Sequence, residues 1–287
     1  MTPSKPGEVL ATIRSLLPSL LPTEQTVAQV LLSRSNDIVE LSSQQIADLA
    51  GASRATVVRT CQSLGFSGYQ QLRVLLARDA GYQDPEPAPP ASAPDDAVGI
   101  VTETFRHVAA SVPGMLALLD DDEVARAVDT LASANRVLVV GNGLSAPTAV
   151  DAAARFTSIG RPAEAPTDVI GQQISARLLG PGDAVLLFSG SGANASTQRV
   201  AMAASTAGAS VILVTSFARS PLTQSADIAL VVTMPDLTFR EEITLTSRLP
   251  QAILVQGIVA ALTSALGERA ERAKALALDA ISDNLVE

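Results

Sequence analysis

The segment SSQQIADLAGASRATVVRTCQSL, Ser42–Leu64, sets two short helical periods on either side of one glycine. In the first period Ile46, Ala47, Leu49 and Ala50 are expected to share a buried face. Gly51 then supplies a tight turn, and Ser53 is placed to cap the next helix by accepting a hydrogen bond from a backbone N–H that has no intrahelical partner. On that second helix Val57, Val58, Cys61 and Leu64 recur at helical spacing as the inward stripe. Arg54, Thr56, Arg59, Thr60 and Ser63 are left facing outward, with Ser53 and Arg54 at the helix N-terminus. Two helices joined in this way form a helix-turn-helix unit, whose second helix enters the DNA major groove in proteins that read duplexes.

The outward set has an uncommon composition. A solvated helix face ordinarily mixes in Glu and Lys, but Gly51 to Tyr69 holds no acid at all, only arginines and short hydroxyl or amide side chains able to approach a duplex. The wider stretch LPTEQTVAQVLLSRSNDIVELSSQQIADLAGASRATVVRTCQSLGFSGYQQLR resembles the N-terminal domain of the RpiR family of bacterial transcriptional regulators over about residues 20–75, including its ATVVR, LGFSGY and trailing LR. The resemblance implies operator binding as a dimer on a near-palindromic site. Ser53, Arg54, Thr56, Arg59, Thr60 and Ser63 then make up the DNA-facing set. Tyr69 falls in the turn after the recognition helix, where plain packing explains it best. Cys61 reads as a small core residue.

The bulk composition permits this despite its sign. The chain has 287 residues, 47% of them apolar, and 29 acids against 20 bases for a net charge of −9. Residues 1–82 hold seven bases and six acids, a net of +1, so the remaining residues carry −10. Contact with phosphates is decided by the local field and not by the whole-chain sum. One cysteine cannot form an internal disulfide, which suits a reducing cytoplasm. MTPSKPGEVLATIRSLLPSLLP is broken by prolines and lacks a basic start before an apolar core, so no secretory signal is expected, and no apolar run is expected to cross a membrane.

QDPEPAPPASAPDD, Gln83–Asp96, has five prolines and no aliphatic residue larger than alanine. Such a segment favours extended, semi-rigid conformations and reads as a linker. The expected organisation is therefore a helix-turn-helix domain over 1–82, a linker over 83–96 and a second domain over 97–287. Beyond the linker, β-branched runs alternate with amphipathic helices. RVLVVG is followed by a helix from about Ser145 to Ile159, and DAVLLFSG by one from about Asn194 to Ala207. ASVILVTS and DIALVVT come next, then a long helix through Ala252 to Leu266. This alternation indicates a parallel sheet covered on both faces.

Two strand ends carry loops of the same chemistry, VLVVGNGLSAP with Gly141, Gly143 and Ser145, and LLFSGSGANAS with Ser189, Ser191, Gly192, Asn194 and Ser196. Each lies between a strand and a helix start, where free backbone N–H groups and the helix dipole favour an anion, and hydroxyls add donors. A phosphate suits such a site. VTSFARSP brings Thr215 and Ser216 to the same edge if the strands are ordered as in other open α/β sheets. Gly141, Gly143 and Ala146 also fit a dinucleotide fingerprint, with Glu164 at about the 20-residue interval of a ribose-binding acid. A dinucleotide fold has no need of Ser-Gly-Ser-Gly after a later strand, so the second loop favours phosphate.

Residues 130–235 resemble the sugar isomerase (SIS) domain. There the G-x-G-x-S and S-x-S-G loops hold the phosphate of a phosphosugar, which carries over to Ser145, Ser189, Ser191 and Asn194. TSRLPQ, Thr246–Gln251, resembles the S-R-x-x-Q helix start of the regulatory members. The order of domains is that of the RpiR family, which implies an all-α helix-turn-helix domain followed by an α/β SIS domain with a five-stranded parallel sheet flanked by helices. The candidate ligand set is Gly143, Ser145, Ser189, Ser191, Gly192, Asn194, Thr215 and Ser216. Expected partners are operator DNA, a phosphorylated sugar and further copies of the chain in a homodimer or homotetramer; no cofactor or metal is expected. Isomerisation would need a positioned acid and base. The one histidine, His107, precedes the first strand, and Glu241 and Glu242, near where the family's catalytic acid falls, read as favourable charges entering a helix. Sensing is thus preferred to catalysis.

Overall fold

The computed structural model describes residues 7–35, 38, 41–81, 96–234 and 248–285. Most of the expected linker, together with Glu241, Glu242 and Thr246, lies outside the described residues. The chain divides between Leu118 and Leu119 into two compact units.

The first unit is helical: α1 (Glu8–Leu16), α2 (Pro22–Ser33), α3 (Ser43–Leu49), α4 (Arg54–Ser63), α5 (Tyr69–Gly81) and α6 (Ala97–Leu116). Its interior gathers Val9, Ile13, Leu31, Ile46, Val57, Cys61 and Leu72, all fully buried. Ser42 caps α3 in a reciprocal box with Gln45, accepting from the Gln45 N–H at 3.2 Å while its own N–H donates to Gln45 Oε1 at 2.8 Å. Gly51 takes φ +60°, the left-handed conformation this turn needs. Ser53 Oγ then accepts from the Thr56 N–H at 3.1 Å and starts α4. Glu24 ties the opposite ends of α2 and α4, accepting from the Leu21 N–H and from Ser63 Oγ.

The second unit is α/β: α7 (Asp121–Ser133), β1 (Val137–Gly141), α8 (Ala146–Ser158), α9 (Val169–Arg177), β2 (Ala184–Phe188), α10 (Ala195–Thr206), β3 (Ser210–Thr215), β4 (Ile228–Val231), α11 (Leu249–Leu266) and α12 (Glu268–Ser282). The strands are parallel in the order β1-β2-β3-β4, with Gly141 level with Phe188 and Val214. Strand alternation sends Leu138, Val140, Val185, Leu187, Val211 and Leu213 into one cluster with Ala176 of α9 and Val200, Ala201 and Ala204 of α10. Helices α7, α8, α11 and α12 contact one another rather than α9 and α10, and cover the other face.

The described sheet has four strands, not the five expected. Residue 164 comes nearest to a fifth. The Val139 N–H donates to the Glu164 carbonyl at 2.8 Å and the Glu164 N–H to the Val137 carbonyl at 3.0 Å, on the free edge of β1. Pro162 and Pro166 flank this single bridge and have no N–H with which to extend it. At the far edge, Glu123 of α7 accepts from the Ala229 N–H at 3.0 Å and so covers β4. By length and composition alone α11 is apolar enough to cross a membrane. In the structure its Leu254, Val255, Ile258 and Leu262 are core residues, and the helix packs on α7, α8 and α12.

Candidate functional site

Strand order decides where a ligand can sit in the α/β unit. After β1 the chain runs through α8 and steps outward to Glu164, then returns over the opposite face in α9 to β2 on the other side of β1. After β2 it continues through α10 to β3. The connections leaving β1 and β2 therefore diverge, and divergence of neighbouring connections opens a crevice outside the strands' carboxyl ends.

A cleft of about 210 Å³ lies there. It is lined by Asn142, Leu144 and Ser145 from the first loop, by Phe188, Ser189, Gly190, Ser191, Asn194 and Thr197 from the second, and by Arg248 ahead of α11. Both loops are shaped by glycine. A Cβ on Gly141 would run into the Ser145 carbonyl, and Gly143 turns the chain at φ +59°. Gly192 takes φ +62°, and a Cβ there would strike the side chain of Ser220. The loops are stitched together by Asn142 Nδ2, which donates to Thr197 Oγ1 at 3.1 Å.

Backbone N–H groups are the anion partners the sequence leads one to expect, but the structure has already used many of them. Ser145 N–H donates to the Asn142 carbonyl, Gly192 N–H to the Ser189 carbonyl, and Ala193 N–H to Ser191 Oγ. Pro147 in the first turn of α8 has no N–H to offer. Asn194 caps α10, its Oδ1 accepting from the Ser196 and Thr197 N–H groups at 3.0 Å each, so only its amide nitrogen can serve a ligand as donor. Hydroxyl groups of Ser145, Ser189, Ser191 and Thr197 belong to the residues that line the cleft. Ser145 occupies the cap position of α8 without making a capping bond and lines the cleft instead. Ser191 Oγ accepts from Ala193 and keeps its proton to donate.

Thr215 and Ser216 are placed differently from the expectation. Both are fully buried. Thr215 Oγ1 and the Ser216 N–H each donate to the Gly190 carbonyl at 3.0 Å, and Ser216 Oγ accepts from Gln251 Nε2 at 3.1 Å. They brace the second loop from the end of β3, with these hydrogen bonds made inside the packed layer and not at the rim. Asn142, Thr197 and Arg248 were missed as lining residues. Arg248 stands in the quoted TSRLPQ, where its charge was the available signal; among the described lining residues it is the one charged side chain.

The dinucleotide reading fails at Glu164. Its backbone pairs with β1 at Leu138, three residues short of the strand's carboxyl end, and its side chain meets Arg136 Nη2 at 2.7 Å. A ribose-binding acid belongs at the carboxyl edge. His107 is exposed on α6 in the first unit.

In the first unit, Ser53, Arg54 and Arg59 are exposed on α4 as expected, and Arg59 Nη2 touches Thr56 Oγ1 at 3.3 Å. Thr56 and Thr60 are instead buried. The buried arc runs Thr56, Val57, Thr60, Cys61 and Leu64 because α4 packs against α2 as well as α3, which rotates the inward stripe by one residue. Threonine tolerates this because Thr60 Oγ1 donates to the Thr56 carbonyl at 2.9 Å. Val58 is only half-buried, and Ala55 and Gln62 join the exposed face. Leu49, expected inside, is half exposed. Ser63 is half-buried and donates to Glu24 Oε1 at 3.1 Å. Tyr69 is packing: its hydroxyl donates to the Leu41 carbonyl at 2.8 Å. Burial pushes the Cys61 thiol up to about 12, in keeping with a small core residue.

Comparison with known proteins agrees with this architecture. The family model described as "Helix-turn-helix domain, rpiR family" matches residues 7–82, and that of the SIS domain matches residues 130–262. The HTH-type transcriptional regulator HexR of Pseudomonas aeruginosa is 30% identical over 89% of this chain and 89% of its own. Among solved structures, the Vibrio vulnificus NanR protein complexed with ManNAc-6P covers 97% of this chain and 100% of its own with a TM-score of 0.60 at 22% identity. The sugar isomerase domain of an RpiR transcription factor from Sphaerobacter thermophilus covers 65% of this chain and 99% of its own, with a TM-score of 0.53 at 22% identity. With an N-terminal helix-turn-helix unit, a C-terminal SIS unit and a full-length regulator as a relative, the chain belongs to the RpiR family of HTH-type transcriptional regulators.

Proposed function

We propose that the protein regulates transcription of carbohydrate-metabolism genes in the cytoplasm, and that its operator affinity changes when a phosphorylated sugar occupies the cleft between the β1 and β2 loops. The observation that carries this reading is the cleft itself, a crevice rimmed by the hydroxyls of Ser145, Ser189 and Ser191 with Arg248 on its lining. Hydroxyl donors and one guanidinium in a partly enclosed site match a phosphate's several acceptor oxygens. Gly143 and Gly192 set the loop shapes, Asn194 offers its amide, and Thr215 and Ser216 hold the second loop in place. That the Vibrio vulnificus NanR protein, similar in fold, is complexed with ManNAc-6P supports the ligand class. On the DNA side Ser53, Arg54 and Arg59 are the contacts, with Gln62 added from the exposed face. Regulation requires that the sugar phosphate bind two conformational states unequally.

A thermal-shift panel of hexose, pentose, amino-sugar and muramic acid phosphates tests the ligand assignment. At least one phosphosugar raises the melting temperature, and Ser191→Ala lowers its affinity by about tenfold, the usual worth of a hydrogen bond to a charged group. An equal shift in the variant would remove Ser191 from the site. No shift with any phosphosugar would remove the ligand class.

A further inference from the structure

Gln251 is a polar side chain in an apolar place. It stands in the first turn of α11, is 3% exposed, and is followed along the helix by the buried Leu254, Val255 and Ile258. Only half of its amide is used. Nε2 donates to Ser216 Oγ at 3.1 Å, while Oε1 is buried with no hydrogen-bond partner among the described residues. An unpaired buried acceptor costs stability, and a methionine would fill nearly the same space without that cost. Packing therefore does not account for a glutamine here, which leaves the bond it makes.

That bond leads to the cleft in both directions. On one side the Ser216 N–H donates to the Gly190 carbonyl at 3.0 Å, and Gly190 lies between Ser189 and Ser191 in the cleft wall. On the other side Arg248, the charged residue of the lining, stands at the cap position of α11, three residues before Gln251 and so about one turn away. Helix α11 begins without a side-chain capping bond, and its apolar residues pack among α7, α8 and α12. The body of the helix is thus placed by other helices, and its first turn is tied to the second loop through Gln251. Resting on the reading of the cleft as a phosphosugar site, we propose that Gln251 is a positioning residue. It locks the first turn of α11 to the second loop and so fixes the Arg248 guanidinium relative to the hydroxyls of Ser189 and Ser191. A phosphate shared between hydroxyls on one loop and a cation on another element needs both held to within about 0.5 Å.

Thermal shift and calorimetric titration of the full-length chain test this, using the phosphosugar that gives the largest shift. Gln251→Met weakens phosphosugar binding by about tenfold, while the melting temperature of the ligand-free protein stays the same or rises, because the unpaired acceptor is gone. A glutamine that served only stability would give the opposite pattern. In an Arg248→Ala background the same substitution costs less than about twofold, since no guanidinium is left to aim. Ser216→Ala keeps the N–H bond to Gly190 and removes the hydroxyl; it reproduces the tenfold loss and carries the test should Gln251→Met fold poorly. Wild-type affinity in either variant, or an equal loss with and without Arg248, would overturn the proposal while leaving the cleft's ligand in place. A wild type that takes up no phosphosugar would remove the reading of the cleft, and this inference with it.

Discussion

Arg54→Ala lowers operator affinity by about 1–3 kcal/mol, roughly 5- to 150-fold, without changing the melting temperature of the protein. Both halves of that statement come from the placement of α4. Arg54 is the first residue of the helix, next to the Ser53 cap, and its side chain is exposed, so removing it opens no cavity and breaks no buried bond. The N-terminus of a recognition helix is the part that reaches base edges. Arg59 lies more than one turn further along, with its guanidinium steadied by Thr56 Oγ1. Its removal produces a similar weakening, and salt titrations separate the roles. An arginine that grips a phosphate lowers the slope of affinity against salt by about one when it is replaced, whereas replacing one that reads a base leaves the slope and relaxes sequence preference. Fluorescence anisotropy on an operator duplex selected with the wild-type protein is the measurement. Wild-type affinity in both variants would move the DNA-reading surface elsewhere. Thr60→Ala is the contrasting case, since its fully buried hydroxyl bonds to the Thr56 carbonyl and acts on stability rather than on DNA.

Gly192→Ala abolishes thermal stabilisation by sugar phosphates, a larger effect than that of Ser191→Ala. Two penalties coincide at this residue. Its φ of +62° is a left-handed conformation that costs an L-residue about 1–2 kcal/mol. The added Cβ also falls within the radius of Ser220 Cβ and Oγ, so the loop carrying Ser189 and Ser191 must move. Positioning donors around a phosphate tolerates little displacement, and a shift of about 1 Å is enough to undo such a site. Combining Gly192→Ala with Ser220→Gly removes the steric part and leaves the backbone part, and so restores binding only partially. The loop lies outside the paired stretches of the four strands, so circular dichroism stays native, and operator binding without sugar persists. Full stabilisation of Gly192→Ala by the same phosphosugar would show that the second loop does not hold the phosphate.

What could be read from the residues was whatever local chemistry alone decides. The four strands were visible as β-branched runs because both faces of a parallel sheet are buried, so no polar residue interrupts Val137–Val140 or Val185–Leu187. Helices α8 and α10 were legible within a residue or two because loop glycines and the Asn194 cap mark their starts. Among the described residues Glu164 stops short of a further strand because it has a strand's hydrogen bonds but prolines on both sides, a contest between pairing and donor loss that only the assembled edge resolves. The rotation of the α4 stripe was hidden because α2 lies well upstream, and nothing within Arg54–Ser63 says from which side it packs. Arg248 and Asn142 entered the cleft from chain segments that no single motif joins.

The central claim is that occupancy of the cleft changes the grip of α4 on DNA. Its most direct test is an anisotropy titration of the selected operator by wild-type protein at increasing concentrations of the phosphosugar that gives the largest thermal shift. The operator dissociation constant should change by about 5- to 150-fold as the cleft fills, the usual span of allosteric coupling, with no change in Gly192→Ala. A constant that stays fixed while thermal shift reports a saturated cleft would contradict the account.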